Sequence, residues 1–546
     1  MATPPWQEIA AQKREDRAQK IPEKWRIPPS FKPYEDTEDV YDWPSTSGFF
    51  TPEELFITES TATEVVTKIA SGEWKAKDVT EAICKRASVA QQLLNCITEI
   101  YFDEAIQRAE ELDAYFAKGG KTIGPLHGLP ISLKDQFNIK GLDTTIGYVS
   151  RVNKPVSEES TLVTLLLEAG AILYVKTNVP ATLMRGETVN NVFGTTCNPY
   201  NRKLTSGGSS GGESALVSFR GSFLGVGTDI GGSIRHPCSF TGLYGIRPSH
   251  GRVSYQRLAN TYAGQEAVRS CAGPMCRSPE DCRLFLSTLA GQEPWRHDPQ
   301  CLPIPWRTEE ELLPKKLCFG FGMGDGTVTP SPPLRRAMEI TKNALIAAGH
   351  EVGEYIPYEH MEAQEIITKM WSADAGDDFK QDIFASGEPF HPEMQKWIDD
   401  MDSKPKPTVF ETWQNQQRRT LLATAWHERW EATKSMTGTG RPIDGLIMPS
   451  TPFPAIRHNA RYPHHWGALS PLLDLTTGVF PVTRVDLDMD VIPSDWKPIS
   501  DLDQKVMTYY GSPKNHENAP IGLVVIGRRL EEEKVTAMLD VIAKCL

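Results

Sequence analysis

Two serines set in glycine and one lysine behind an apolar run are the residues of this chain best placed to do chemistry. Ser209 stands in Thr205-Ser-Gly-Gly-Ser-Ser-Gly-Gly-Glu213 and Ser233 in Gly227-Thr-Asp-Ile-Gly-Gly-Ser-Ile-Arg235. Backbone this rich in glycine bends tightly and can present its N–H groups to a bound oxyanion. Lys134 closes the run Leu129-Pro-Ile-Ser-Leu133. A serine hydroxyl is a weak nucleophile until a base takes its proton. A lysine can be that base only when neutral, which requires its free value of about 10.4 to fall by roughly three units through burial. Two serines and a neutral lysine suffice to open an amide without histidine.

Other readings of the same residues lack their context. Gly207-Gly-Ser-Ser-Gly211 matches G-x-S-x-G, but a nucleophile elbow needs an apolar strand before the serine, and Asn201-Arg-Lys-Leu-Thr-Ser206 does not read as one. Gly120-Lys121-Thr122 has Tyr115 where a P-loop needs its first glycine. The S-x-x-K match from Ser494 to Lys497 is flanked by Pro493 and Pro498, which oppose a helix. A plain Gly/Ser linker would not explain Thr228, Asp229 and Arg235 patterned around Ser233.

The elements that must carry these residues read as alternating helix and strand. Gln7 to Gln19 could form a polar helix, and Pro22 to Pro44 an extended arm. Residues 1–48 thus form an arm, either a surface strap or a clasp between the copies of a homodimer. Packed structure is expected from Thr61, where Thr61-Ala-Thr-Glu64 is a capping box and Gly72 a helix stop. Helices follow over Val79–Leu94 and Phe102–Ala117, then a strand over Leu129–Leu133, a helix over Ser160–Ala169 and a buried strand over Ala171–Lys176, a β-α-β unit. Residues 201–250 read as mostly loop and short helix. Leu317–Gly320, Glu351–Tyr355, Asp444–Met448 and Ile521–Ile526 read as strands, Pro333–Ala348 and Glu531–Ala543 as helices. Residues 375–420 are polar and helical with little core signal, as in an insertion or lid.

Composition narrows the partners. The chain has 546 residues, 39% hydrophobic and 23% charged, with a net charge of −12. That is an ordinary globular composition, and an acidic surface disfavours nucleic acid. No segment holds the ~18 apolar residues of a membrane span. The start of the chain lacks the apolar run of a secretory signal. A cytoplasmic location with free thiols is therefore expected for the ten cysteines. Cys271, Cys276 and Cys282 lack zinc-site spacing, and Ala543-Lys-Cys-Leu546 is not a prenylation box. No metal and no cofactor is expected.

Taken in order, Gly124-Pro-Leu-His-Gly-Leu-Pro-Ile-Ser-Leu-Lys-Asp135, Gly207-Gly-Ser-Ser-Gly-Gly-Glu213 and Gly227-Thr-Asp-Ile-Gly-Gly-Ser-Ile-Arg235 resemble the amidase signature family, and nearly the whole chain is similar to its fungal acetamidase type. Tyr244-Gly-Ile-Arg-Pro248 and Gly273-Pro274 fit the same pattern. The resemblance implies one α/β/α domain over residues 49–546, a mixed sheet flanked by helices on both faces, with the signature core at about 124–290. It implies that Ser233 is the nucleophile, Lys134 the base, and Ser209 the bridge between them, preceded by a cis peptide bond. It also implies that Ile230, Gly231, Gly232 and Ser233 form the oxyanion hole, with each donor worth ~3 kcal/mol. Leu183 and Met184 would line the acyl pocket, unless they are ordinary core. Ser210, Asp229 and Arg235 would support the loops.

The implied reaction cleaves the C–N bond of a monocarboxylic acid amide to an acid plus ammonia or an amine, through an acyl-serine. A small aliphatic, acetamide-like substrate is the first expectation. A secondary-metabolite amide or a lactam is the alternative, and a tRNA-dependent amidotransferase subunit or a non-catalytic relative is further off. Ser206 stands where many members have proline, and Val524 where many have glutamine; both bear on pocket shape. His236 follows the nucleophile loop as a wall residue or a substrate contact.

Overall fold

The computed structural model describes residues 4–33, 36–460 and 466–546. The chain opens with helix α1 (Trp6–Gln19). It is not a loose strap: Lys13 bridges Glu99 at 2.5 Å and Asp143 at 2.7 Å, and Arg17 donates to the Ile97 carbonyl at 2.5 Å. Beyond it the described residues of the arm include two short turns of helix, and Ile21, Trp25 and Val40 are buried in the main core. Packing therefore begins before Thr61. A further capped helix, Pro52–Glu59, precedes it, with Thr51 and Glu54 as a second capping box. The Thr61 box closes as expected, and Gly72 follows the helix with φ +77°.

Eleven strands form one mixed sheet: β1 (Ile97–Ile100), β2 (Pro130–Lys134), β3 (Ile172–Thr177), β4 (Leu224–Asp229), β5 (Tyr244–Arg247), β6 (Cys271–Cys276), β7 (Cys318–Phe321), β8 (Glu351–Glu354), β9 (Gly445–Met448), β10 (Thr477–Arg484) and β11 (Pro520–Ile526). Their order across the sheet is β1-β3-β2-β4-β6-β5-β10-β11-β9-β7-β8. β2 runs parallel to both neighbours, with Ile131 opposite Leu224 and Leu133 opposite Val226. That register sets Lys134, at the end of β2, beside Thr228 near the end of β4. Helices cover the sheet, giving the expected α/β architecture.

Three strands, Asn201–Thr205, β4 and β5, lie inside the 201–250 stretch expected to be mostly loop and short helix. β4 lies beside β2. Its sequence, Leu-Gly-Val-Gly-Thr-Asp, hides the usual alternation because the sheet is crowded there: a Cβ on Gly225 would come within 2.2 Å of Glu213 Oε1. Asn201–Thr205 is a strand after all, but it pairs with Cys197–Asn198 in a two-stranded hairpin outside the main sheet. Pairing with a neighbour supplies the order that this polar segment lacks on its own.

Two helices stand over the centre of the sheet, α2 (Gly211–Ser218) and α3 (Arg235–Thr241). Four more, α4 (His360–Trp371), α5 (Asp377–Ser386), α6 (Pro392–Asp402) and α7 (Val409–Ala432), build a separate layer. This layer has more core than its polar composition suggested. Phe379, Ile383, Met394, Ile398, Met401 and Leu422 are buried in a second hydrophobic cluster that also contains Leu183 and Val524. No helix among the described residues is long and apolar enough to cross a membrane. The ten cysteines are unpaired, and eight of them are buried.

Candidate active site

β2 delivers Lys134 into the interior, where its side chain is fully buried. Its Nζ donates to Ser209 Oγ and to Thr228 Oγ1, each at 2.7 Å. Thr228 Oγ1 donates onward to Gln136 Oε1 at 2.5 Å. With its proton given to Gln136, the threonine can only accept from the amine, which fixes the lysine between two hydroxyls. Gln136 is held in turn by the Ala259 carbonyl at 3.0 Å and the Tyr255 hydroxyl at 3.1 Å. Burial pushes the Lys134 amine down from 10.5 to about 7, against the opposing pull of Asp229 and Glu213. Burial pushes Glu213 up to about 7, offset by hydrogen bonds from Ser132 and Thr177 and by Lys134.

Ser209 sits between β2 and the start of α2. The Gly208–Ser209 peptide bond is cis, as the family resemblance implied. Glycine is required at 208 because a Cβ there would lie 2.4 Å from the Arg185 carbonyl oxygen. Ser210 holds the loop: its Oγ lies 3.3 Å from both the backbone N–H and the carbonyl of Thr228.

The Ser233 loop is organised by one carboxylate. Asp229 accepts the N–H groups of Gly232 at 2.8 Å and Ile234 at 3.1 Å, and both Nε and Nη2 of Arg235 at 3.0 Å. Burial alone would raise its pKa, but Arg235, Arg247 and the Ile234 N–H together outweigh this and hold the carboxyl far below the usual range. The Gly232 N–H is committed to Asp229, which leaves the N–H groups of Ile230, Gly231 and Ser233 without a protein acceptor among the described residues. Gly232 has φ +131°, and a Cβ on it would strike the His236 ring at 2.3 Å. His236 therefore packs beneath the loop as part of the wall.

A cavity of about 300 Å³ opens over this loop. Gly208, Ile230, Gly231, Gly232, Ser233 and His236 line its floor. Leu183, with φ +61°, and Met184 form one side, and Leu183 is also part of the second hydrophobic cluster. Ser209 meets Lys134, while Ser233 makes no side-chain hydrogen bond among the described residues. The remaining wall, Trp371 from α4 and Met394 and Trp397 from α6 together with Arg185 and Glu393, was not found from sequence. Only the fold brings these distant positions together. Thr228 and Gln136 were likewise not assigned to the site; their one signal was proximity to Ser233 and Lys134.

The fold is a mixed sheet covered by helices, and its site sets a buried lysine and a serine beside a second, glycine-cradled serine. Residues 78–536 match the Amidase family model. The chain is 60% identical to "Putative amidase kk1C" of Curvularia clavata, over 100% of this chain and 99% of that one. It is 43% identical to an acetamidase of Emericella nidulans, over 99% and 98% of the two chains. A solved structure of fatty acid amide hydrolase superposes with a TM-score of 0.92 at 34% identity, covering 98% of this chain and 94% of that one. The chain belongs to the amidase signature family and is an amidase, a hydrolase of amide C–N bonds.

Proposed function

We propose that Ser233 is the nucleophile and Lys134 the base, with Ser209 passing the proton between them. The observation that carries this reading is the 2.7 Å contact from a fully buried lysine, poised near neutrality, to Ser209. The neutral amine draws the Ser209 proton as Ser209 draws that of Ser233, a relay that requires Ser233 Oγ to come within hydrogen-bond reach of Ser209. Ser233 Oγ attacks the amide carbon, and the developing oxyanion is met by the N–H groups of Ile230, Gly231 and Ser233. The proton returns through Ser209 to the nitrogen as the C–N bond breaks, because an unprotonated amine leaves poorly. Water then attacks the acyl-serine by the same relay, releasing the acid. The free thiols fit a reducing compartment.

For the substrate, cavity size favours an amide larger than acetamide. Acetamide has four non-hydrogen atoms and fills roughly 100 Å³, at about 30 Å³ per water-sized group. The cavity of about 300 Å³ lies at the lower edge of sites for drug-sized ligands. A second reading, acetamide itself, is favoured by the name of the Emericella nidulans relative. A fluorophosphonate that labels the wild type and not Ser233→Ala tests the nucleophile. Ammonia release from acetamide, hexanamide, benzamide and a lactam tests the substrate. Folded protein that is not labelled and cleaves none of them refutes the proposal.

A further inference from the structure

Arg185 is 7% exposed and lines the cavity. One of its nitrogens is spoken for: Nη2 lies 2.9 Å from Glu393 Oε2 and 3.6 Å from Glu187 Oε2. Among the described residues its Nε and Nη1 are buried with no hydrogen-bond acceptor, and Glu393 Oε1 is buried with no donor. A guanidinium left with unmet donors inside a protein is costly. Glu187 does not offer relief, because His458 at 2.8 Å and the Asn459 N–H at 3.1 Å already hold it. Arg185 and Glu393 line the same cavity as Ser233, and the Arg185 backbone lies against Gly208, next to Ser209.

We infer that Arg185 and Glu393 form a polar subsite that reads a second, uncharged amide-like group in the acyl part of the substrate. The inference rests on the proposed acyl-serine reaction at Ser233. A group carrying both C=O and N–H matches two donors beside one acceptor. A bare carboxylate would satisfy Arg185 but face the carboxylates of Glu393 and Glu187. An alkyl chain would leave all three atoms unmet. The apolar side chains of Leu183, Met184, Met394 and Trp397 take up the carbon spacer between this group and the scissile amide.

The test compares N-acetylglycinamide and N-acetyl-β-alaninamide with pentanamide and hexanamide, which match them in length. Acetoxyacetamide keeps the C=O and lacks the N–H. Ammonia release and protection of Ser233 from fluorophosphonate are read on the wild type, Arg185→Met and Glu393→Met. The wild type should favour a diamide over its alkyl match by about tenfold or more in kcat/KM, with acetoxyacetamide in between. Arg185→Met should bring the diamide-to-alkyl ratio close to one. Glu393→Met should erase the difference between N-acetylglycinamide and acetoxyacetamide. Equal turnover and equal protection by diamide and alkyl amide in the wild type would overturn the subsite, leaving bound water as the partner of these atoms. A purely structural Arg185 would lower both substrates alike and keep the ratio, which also overturns it. Loss of all cleavage and all labelling in the wild type would instead overturn the reaction at Ser233.

Discussion

If Lys134 works as a neutral base with a value near 7, kcat/KM must follow its deprotonated fraction. That fraction is about 9% at pH 6, about half at pH 7 and about 91% at pH 8 for a group titrating at about 7. The rate should therefore rise roughly tenfold from pH 6 to pH 8 and then level off. An ordinary lysine at 10.5 would give a rise of roughly a hundredfold over the same interval and keep climbing beyond pH 9. The two curves differ in slope and in plateau, so the comparison does not depend on the absolute rate. The assay is the initial rate of ammonia release at substrate concentrations well below KM, with fluorophosphonate labelling as a parallel readout. Glu213 pulls the lysine value upward, so Glu213→Gln should move the midpoint to lower pH. A slope of one log unit per pH unit continuing to pH 9 or above would refute the argument from burial.

Four further outcomes follow from the same geometry. Lys134→Met should lower kcat by about a thousandfold or more, measured as ammonia release, with Ser233 still present. Thr228→Val removes an acceptor that holds the lysine and favours its charged form; the activity midpoint should move to lower pH and kcat fall by about tenfold. Gly231→Ala places a methyl 2.7 Å from the Trp371 ring, which can shift, whereas Gly232→Ala meets His236 at 2.3 Å and a backbone angle hostile to side chains; kcat should fall further in the second, in parallel assays. Asp229→Asn breaks the ion pair with Arg235 and leaves a buried charge, so urea unfolding should report a loss of about 3–5 kcal/mol. Because the Asp229 carboxyl is held low, its contribution is present above the ordinary carboxylate value and lost only as pH falls through the folded one.

The site's chemistry was more legible in the chain than its walls. Ser209 and Ser233 stood out because glycine runs with embedded serines have few structural uses, and Lys134 because it follows an apolar run. β4 escaped notice because the same glycines that admit Glu213 and Ser210 erase its apolar alternation. Asn201–Thr205 escaped because its order comes from Cys197–Asn198 and not from its own side chains. The Gly232 amide was expected in the oxyanion hole, and no pattern in sequence says that Asp229 will claim it. Arg185, Trp371, Glu393 and Trp397 are ordinary residues on a loop and two helices. Their meaning arises only when the helical layer from α4 to α7 closes over the Ser233 loop.

Lys13 is the cation that Glu99 and Asp143 share, and it comes from the first helix of the chain, far in sequence from both. Lys13 precedes Glu99 by 86 positions and Asp143 by 130, so the nascent chain can complete this three-residue cluster only after residue 143 has emerged. The N-terminal helix must wait, unpartnered, for the sheet edge to form, and then lock onto it. A shortened version that begins after α1 would lose Lys13 and leave Glu99 and Asp143 in its interior, with Lys20 as a more distant cation at 3.8 Å from Glu99, and would be expected to expose that edge to other chains.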